Sequence, residues 1–332
     1  MPPMNAPYHY WLFFLLTLTL ACQNQQPVTE YVDMDAVQVQ EPQAAFVPLD
    51  EAIVPTDLFY AGETLFIVNR NRKNGALYSH EGGSSVRHGR GPGEVVDFQL
   101  IKNSVQSHQL KAVTNHSGLS SYEIQSGTAT LQDNIPMKNQ AVNRPAMLSN
   151  DEVIYQVLGE KQPFEIFNAK KKQTRPVGVF PDWADNWSRD DRDNLTYAFP
   201  LPGKQSDSLF VFYTSLPSFE IQSLSQGKVL KRIQFRSAHK HVTTPEAYYN
   251  GEDYVYYMDP IYWNGHIFVL YFDQPSASEP SYTYLVEIGP QGEVCARRRI
   301  PYGCIRFSIS PSGQFAGLVQ GEEGFGIVTF HL

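Results

Sequence analysis

Short apolar runs separated by polar turns recur along the chain from Phe46 to its end. No long stretch repeats its apolar residues with the 3.6-residue period of a helix, so few helices are expected. The clearest runs follow a polar turn and start about 40 to 60 residues apart, at Glu63, Gln109, Asp151, Asp207, Gly265 and Gly313. The pattern therefore predicts an all-β protein with an internal repeat.

Each repeat contains more than one strand. Most of the runs are followed by a second strand, a turn and a third strand, as in Tyr284–Ile288 before the turn at Gln291 and Gly292. A unit of about 50 residues with four strands is typical of a β-propeller, whose blades stand around a central channel. The prediction is a six-bladed β-propeller of four-stranded antiparallel blades, and the alternative is a pair of β-sandwiches.

A propeller needs ring closure, because its first and last blades otherwise leave unpaired strand edges. The terminal strand Gly326–Phe330 or the early segment Ala45–Leu49 is expected to complete a shared blade. Aromatic residues make up 13% of the chain, alongside 23 Gly and 23 Pro, which also favours strands joined by frequent turns.

The first residues have the features of a processing signal. Trp11–Ala21 is an apolar run too short to span a bilayer, as in the central part of a signal peptide. The segment Thr19–Cys22, at the end of this run, resembles the bacterial lipobox, and this resemblance implies lipidation at Cys22. We therefore predict a signal peptide at 1–21, a polar tether at 22–44 and the propeller domain at 45–332. The alternatives are a buried first helix and an ordinary signal peptide cleaved near Ala21.

Charge and cysteine content narrow the function classes. The formal net charge of −8 argues against a nucleic-acid partner, because phosphate binding requires clustered Lys and Arg. If Cys22 is lipidated, Cys295 and Cys304 remain. They are compatible with a disulfide in an oxidising compartment, and two buried free thiols are the alternative.

A glycine-rich loop connects the first two predicted units. In Gly89–Glu94 the glycines permit positive φ angles, Pro92 restricts one turn, and Glu94 is placed to accept hydrogen bonds from exposed amides. This loop resembles the Gly-Arg-Gly-Pro-Gly-Glu loop of TolB-like six-bladed β-propeller lipoproteins of Gram-negative bacteria. The resemblance implies an exported, lipid-anchored propeller in the periplasm or at the outer membrane.

No catalytic motif of a serine hydrolase, zincin or phosphate-binding enzyme occurs in the chain, and no cofactor is predicted. His239 and His241 are weak candidates for a metal pair, because alternate residues of a strand share a face. The loop at Gly89 places Arg87, His88 and Arg90 near the channel mouth, where an anionic ligand is a possible partner. Structural turns and solvated positions are the simpler explanation of these residues.

An acidic and aromatic segment, 181–194, is the best candidate for a recognition loop. Its carboxylates offer oxygen ligands and its two Trp residues offer stacking faces. The candidate ligand-binding residues here are Asp182, Trp183, Asp185 and Trp187. A surface loop pinned by its Trp residues is the alternative.

The sequence favours a non-catalytic binding or scaffold propeller of the bacterial cell envelope. It would recognise a peptide, a glycan or a partner envelope protein at a channel mouth, and would contact the membrane only through its lipid. The first alternative is a propeller lyase or glycoside hydrolase with acids from Asp182, Asp185 and Asp259. The second is a structural subunit of a larger envelope assembly.

Overall fold

The computed structural model describes residues 27–50, 53–71, 75–79, 82–91, 94–137, 142–181, 184, 186–204, 207–236, 245–247, 254–275, 282–321 and 324–332. Its strands, in chain order, are β1 (Val28–Asp33), β2 (Val39–Gln40), β3 (Ala45–Pro48), β4 (Pro55–Ala61), β5 (Thr64–Asn69), β6 (Leu77–Ser79), β7 (Gly83–Ser85), β8 (Phe98–Leu100), β9 (Gln109–Thr114), β10 (Gly118–Gln125), β11 (Thr128–Pro136), β12 (Asn143–Ser149), β13 (Glu152–Gln156), β14 (Phe164–Asn168), β15 (Gln173–Val177), β16 (Ala198–Pro202), β17 (Ser208–Tyr213), β18 (Ser218–Ser223), β19 (Lys228–Arg236), β20 (Tyr254–Trp263), β21 (His266–Pro275), β22 (Tyr282–Ile288), β23 (Val294–Pro301), β24 (Cys304–Ile309), β25 (Gln314–Gly321) and β26 (Gly324–His331). The described helices are α1 (Arg189–Leu195) and α2 (Pro245–Ala247), with 3₁₀ turns at Met34–Ala36 and Lys102–Ser104.

The strands form six sheets, and each sheet is one blade of a ring. In chain order the blades are built on β4–β7, β8–β11, β12–β15, β16–β19, β20–β23 and β24–β26, and we number them 1 to 6. The first strand of each blade is innermost, and neighbouring innermost strands such as β12 and β16 or β20 and β24 contact one another around the channel. The predicted six-bladed β-propeller is confirmed.

The core lies between the blades rather than inside any one of them. Six apolar clusters each join two neighbouring blades, and the last joins blade 6 to blade 1 through Leu318 and Leu58. A middle strand is therefore buried on both faces, which explains the unbroken apolar run Leu209–Tyr213. Phe210 and Phe212 pack toward blade 5, whereas Leu209 and Val211 pack toward blade 3.

The N-terminal segment closes the ring, and it is more ordered than its composition predicts. Strand β3 pairs antiparallel with β26 and completes blade 6, so the predicted early segment supplies the closing strand. The expectation that 22–44 is only a polar tether is wrong for two stretches. Strand β1 pairs parallel with β19, and β2 pairs parallel with β23. Open outer edges of blades 4 and 5 bind these stretches through backbone hydrogen bonds, and Met34 between the two strands is buried in the core that joins the same blades.

The disulfide that the sequence allows between Cys295 and Cys304 is absent, because both cysteines are free. Cys295 is exposed near the start of β23, whereas Cys304 is buried at the start of β24. The six residue steps from Cys295 to Pro301 along the extended strand span about 20 Å, so the turn between these strands cannot bring the two sulfurs together. Burial raises the pKa of the Cys304 thiol, which keeps it protonated.

Candidate functional site

A cavity of about 650 Å³ occupies one end of the channel. Near the start of most innermost strands, side chains from all six blades converge on it. They include Asp57 on β4, Lys102 just after β8, Arg144 on β12, Phe199 on β16, Asp259 on β20 and Arg306 on β24. The volume lies in the range of small-molecule sites.

Four of these charged residues lie at irregularities in the strand register. The pairing of the innermost strand shifts between Pro55 and Asp57, between Asn143 and Ala146, between Met258 and Ile261, and between Cys304 and Arg306. A β-bulge bends a strand and re-aims its side chain, and bulges are enriched next to active sites. The irregularities therefore coincide with Asp57, Arg144, Asp259 and Arg306, the charged side chains that the innermost strands themselves supply to the cavity.

Two of the bulged residues also have strained backbones. Arg144 has φ of 49° and Asp259 has φ of 63°, in the left-handed region that favours glycine. Such conformations cost about 1–3 kcal/mol each and persist only where the surrounding structure enforces them. Gln99 contributes to this enforcement, because its amide donates to the carbonyl of Val142 and accepts from the backbone N–H of Arg144, both at 3.0 Å.

Lys102 joins two carboxylates at the base of the cavity. Its Nζ lies 2.8 Å from Oδ1 of Asp57 and donates to Oδ2 of Asp259 and to the carbonyl of Phe307. The carboxylate of Asp259 also accepts from the backbone N–H of Phe307 at 3.0 Å. This Lys102 cluster, Asp57, Lys102, Asp259 and Phe307, links blades 1, 2, 5 and 6 across the channel.

The environment of Asp57 predicts a pH dependence. Burial raises the pKa of its carboxyl above the ordinary 3.8, Asp259 adds to the rise, and Lys102 opposes it. The folded protein then holds this proton more tightly than the unfolded chain does. The contribution of Asp57 to the free energy of unfolding therefore falls as the pH rises from about 3.8 through the folded-state pKa.

We expect the variant Asp57→Asn, which does not titrate, to gain stability relative to the wild type as the pH rises through that window. Urea denaturation of both proteins at a series of mildly acidic pH values measures the difference. A difference that stays constant, or that changes in favour of the wild type, contradicts the raised pKa.

Arg144 lies between two aromatic rings on the opposite wall. Its guanidinium carbon is 3.8 Å from the ring centre of Tyr197 and 3.6 Å from that of Phe199. Its Nη1 donates to Oγ1 of Thr214 at 2.6 Å. Burial lowers the pKa of Arg144 to about 10, and the positive charge of Arg306 also lowers it, so the side chain is charged at neutral pH. The rings cover both faces of the guanidinium and leave its edge to form hydrogen bonds.

Arg306 has a similar lack of acidic partners. Its Nη1 donates to the carbonyl of Ile305 at 2.8 Å and lies 3.6 Å from Sδ of Met258. In the described part of the chain, no carboxylate lies within 4.0 Å, the ion-pair distance, of either Arg144 or Arg306. Within the described residues, Arg144 and Arg306 thus have no direct ion pair, and neither has Arg70, an exposed third arginine of the lining.

The neutral polar residues of the lining bond mainly to the backbone. Asn103 bonds to the N–H and the carbonyl of Met147, both at 2.7 Å. Asn69 accepts from the N–H groups of Val54 and Asn71. These side chains shape the wall, and the positive charge of the lining comes from Arg70, Lys102, Arg144 and Arg306.

The glycine-rich loop contributes one predicted residue to the cavity. His88 lines it, with Nε2 at 3.0 Å from the carbonyl of Asn69, whereas Arg87 and Arg90 are exposed and lie outside the lining. Glu94 accepts from the N–H of Gly91 at 2.8 Å, as predicted for this carboxylate. The loop is a connection between blades 1 and 2, and the ligand-binding roles of Arg87, His88 and Arg90 stay predictions.

The acidic and aromatic segment differs from the loop that its composition indicates. Asp182, Trp183 and Asp185 lie outside the described residues, and Trp187 is half-buried outside the cavity lining. The end of the segment forms α1, whose N-cap Ser188 accepts from the N–H of Asp191 at 3.1 Å. A Ser followed by acidic residues is a helix-start signal that sequence reasoning missed.

Of the four remaining predicted site residues, one lies in the described part of the chain. His239, His241 and Cys22 lie outside the described residues, whereas Asp259 lines the cavity and is bound by Lys102. No described helix is long and apolar enough to cross a membrane.

Solved structures with this architecture include two from Bacteroides. A member of the DUF4221 family from Bacteroides vulgatus is similar with a TM-score of 0.57 and 11% identity, over 89% of this chain and 98% of that one. A protein of Bacteroides fragilis that is predicted to be exported has a TM-score of 0.53 and 10% identity, over 92% and 99% of the two chains. A luciferin-regenerating enzyme has a TM-score of 0.50 and 9% identity, over 88% and 96%.

No family model and no curated protein matches the chain. Identities of 9 to 11% show a shared fold and nothing finer. The TolB-like resemblance and the family role of the loop at Gly89 therefore stay predictions. The arrangement of the strands and the shared fold of these structures both show a six-bladed β-propeller.

Proposed function

We propose that this chain is a non-catalytic binding propeller that takes a small anionic molecule into the channel cavity. The single observation that carries the proposal is the convergence of Arg144 and Arg306 on one cavity with no described carboxylate in ion-pair contact with either. In the described structure both guanidinium groups are half-buried and bond to neutral partners, and a bound anion would give them charge-assisted hydrogen bonds. The neutral polar lining bonds to the protein itself, which favours recognition by charge.

A catalytic role has less support from the same geometry. The carboxylates Asp57 and Asp259 both bind Lys102, so neither is free to exchange a proton with a ligand while the cluster is intact. Glycoside hydrolysis needs two carboxyl groups on either side of the bond that is cleaved. Here a lysine occupies the space between them.

We further propose that the protein is exported and held at the membrane by lipid on Cys22. The apolar run before Cys22 and the lipobox-like segment support this, as does the fold shared with a protein of Bacteroides fragilis that is predicted to be exported. A partner protein, peptide or glycan would then present its acidic group to the cavity.

Isothermal titration at low ionic strength tests the binding function. Succinate is compared with succinamide, which has the same carbon skeleton and no charge. We expect succinate to bind and succinamide to give no measurable heat, because the arginines recognise charge. Equal binding of both compounds, or binding of neither, contradicts the proposal.

A further inference from the structure

The arginine pair, Arg144 and Arg306, spans the channel. Arg144 lies on the innermost strand of blade 3 and Arg306 on that of blade 6, which are three blades apart in a ring of six. Both line the same cavity, and a register shift accompanies each of them. Two strand irregularities on opposite walls thus place like charges in one enclosed space.

The carboxylates of the lining act on this pair without ion-pair contact: Asp259 raises the pKa of Arg144, and Arg306 opposes the rise in the pKa of Asp57. Lys102 engages Asp57 and Asp259, and Asp97 lies 3.3 Å from Nδ1 of His116 at the rim. Burial is the main cause of the lowered pKa of Arg144, and the repulsion from Arg306 adds to it, whereas Tyr197 and Asp259 oppose it. An anion between the two would convert this repulsion into two attractive contacts.

The guanidinium geometry indicates how such an anion is held. The rings of Tyr197 and Phe199 fix the plane of Arg144, and the backbone carbonyl of Ile305 fixes one nitrogen of Arg306. A guanidinium held in this way presents a rigid pair of donors that matches a carboxylate. The cavity has room for a molecule with several carbon atoms between two such groups.

Resting on the function proposed above, we infer that the ligand is a dianion with two separate carboxylates, one bound by Arg144 and the other by Arg306. The two arginines act as opposed clamps, and the cavity between them holds the linking carbon skeleton. A monocarboxylate of the same length occupies only one clamp and leaves the other charge uncompensated.

The test compares succinate with butyrate, which has the same number of carbon atoms and one carboxylate. We expect succinate to bind the wild type about tenfold to a hundredfold more tightly, since hydrogen bonds between charged groups are worth about 1.5–3 kcal/mol. In Arg306→Gln the ratio of the two affinities should fall to about one, because a single clamp remains. Arg306→Lys should restore part of the ratio, and thermal unfolding of both variants confirms that they fold.

Each alternative outcome is decisive. If both anions bind the wild type equally, the two-clamp inference is wrong while anion binding stands. If sulfate binds as tightly as succinate, one anionic centre suffices and the inference is wrong. If neither anion binds, the proposed function fails with it. A ratio that is unchanged in folded Arg306→Gln also overturns the inference, because Arg306 would then play no part in selecting the second carboxylate.

Discussion

Replacing Lys102 with methionine is expected to lower the free energy of unfolding by about 3–5 kcal/mol. Methionine keeps most of the length of the side chain and removes its charge. Asp57 and Asp259 would then face each other without the cation that both bind. Breaking a buried ion pair is costly because it leaves an uncompensated charge in a region of low dielectric. The substitution also removes the contacts through which Lys102 links blades 1, 2, 5 and 6.

Lys170→Met is the matched control. Lys170 pairs with Asp151 at 2.7 Å, but its side chain is 76% exposed, and exposed pairs contribute only about 0–1 kcal/mol. Chemical denaturation of both variants measures the contrast. Adding Asp57→Asn and Asp259→Asn to Lys102→Met should recover part of the lost free energy of unfolding, because the two carboxylates without a cation cause that loss. A Lys102→Met loss no larger than that of the control contradicts this account of the cluster.

Replacing Arg144 with glutamine is expected to weaken succinate binding by at least about thirtyfold, since removing one partner of a buried charge pair costs 2–5 kcal/mol or more. Arg144→Lys keeps the charge but loses the planar group between Tyr197 and Phe199. We expect its affinity to fall between those of the wild type and Arg144→Gln, because a lysine cannot bind a carboxylate with two parallel hydrogen bonds.

Arg175→Gln provides the control for a general loss of positive charge. Arg175 is exposed on β15 of the same blade and lies outside the cavity lining. Titration of all three variants with succinate gives the comparison. If Arg175→Gln weakens binding as much as Arg144→Gln does, the affinity for succinate depends on the net charge of the protein rather than on the cavity.

The fold was predictable because the sequence pattern that specifies it is local and repeated. Each apolar run is a middle strand, and regular spacing of such runs follows from blades that bury both faces against neighbours. The N-terminal strands β1 and β2 were missed because they add to sheet edges through backbone groups, and the buried core residue between them, Met34, is a single apolar position that forms no pattern. The closing strand β3 was predicted because a ring needs one.

The site was less predictable because its members belong to separate repeats. Lys102, Arg144 and Arg306 come from blades 2, 3 and 6, and no short motif contains them. Two local signals were available. Arg144 and Asp259 each precede a proline inside a strand, and proline in a strand indicates an edge or a bulge. His88 and Asp259 were singled out in advance because they occur in conspicuous polar segments.

The most direct measurement is a crystal structure of the full chain with bromosuccinate, whose bromine scatters X-rays anomalously. The account predicts an anomalous peak inside the channel cavity, with one carboxylate within hydrogen-bond distance of the Arg144 guanidinium and the other within that distance of Arg306. Peaks confined to the outer surface, with the cavity free of ligand, would contradict the central claim that this propeller binds a small anion between its opposed arginines.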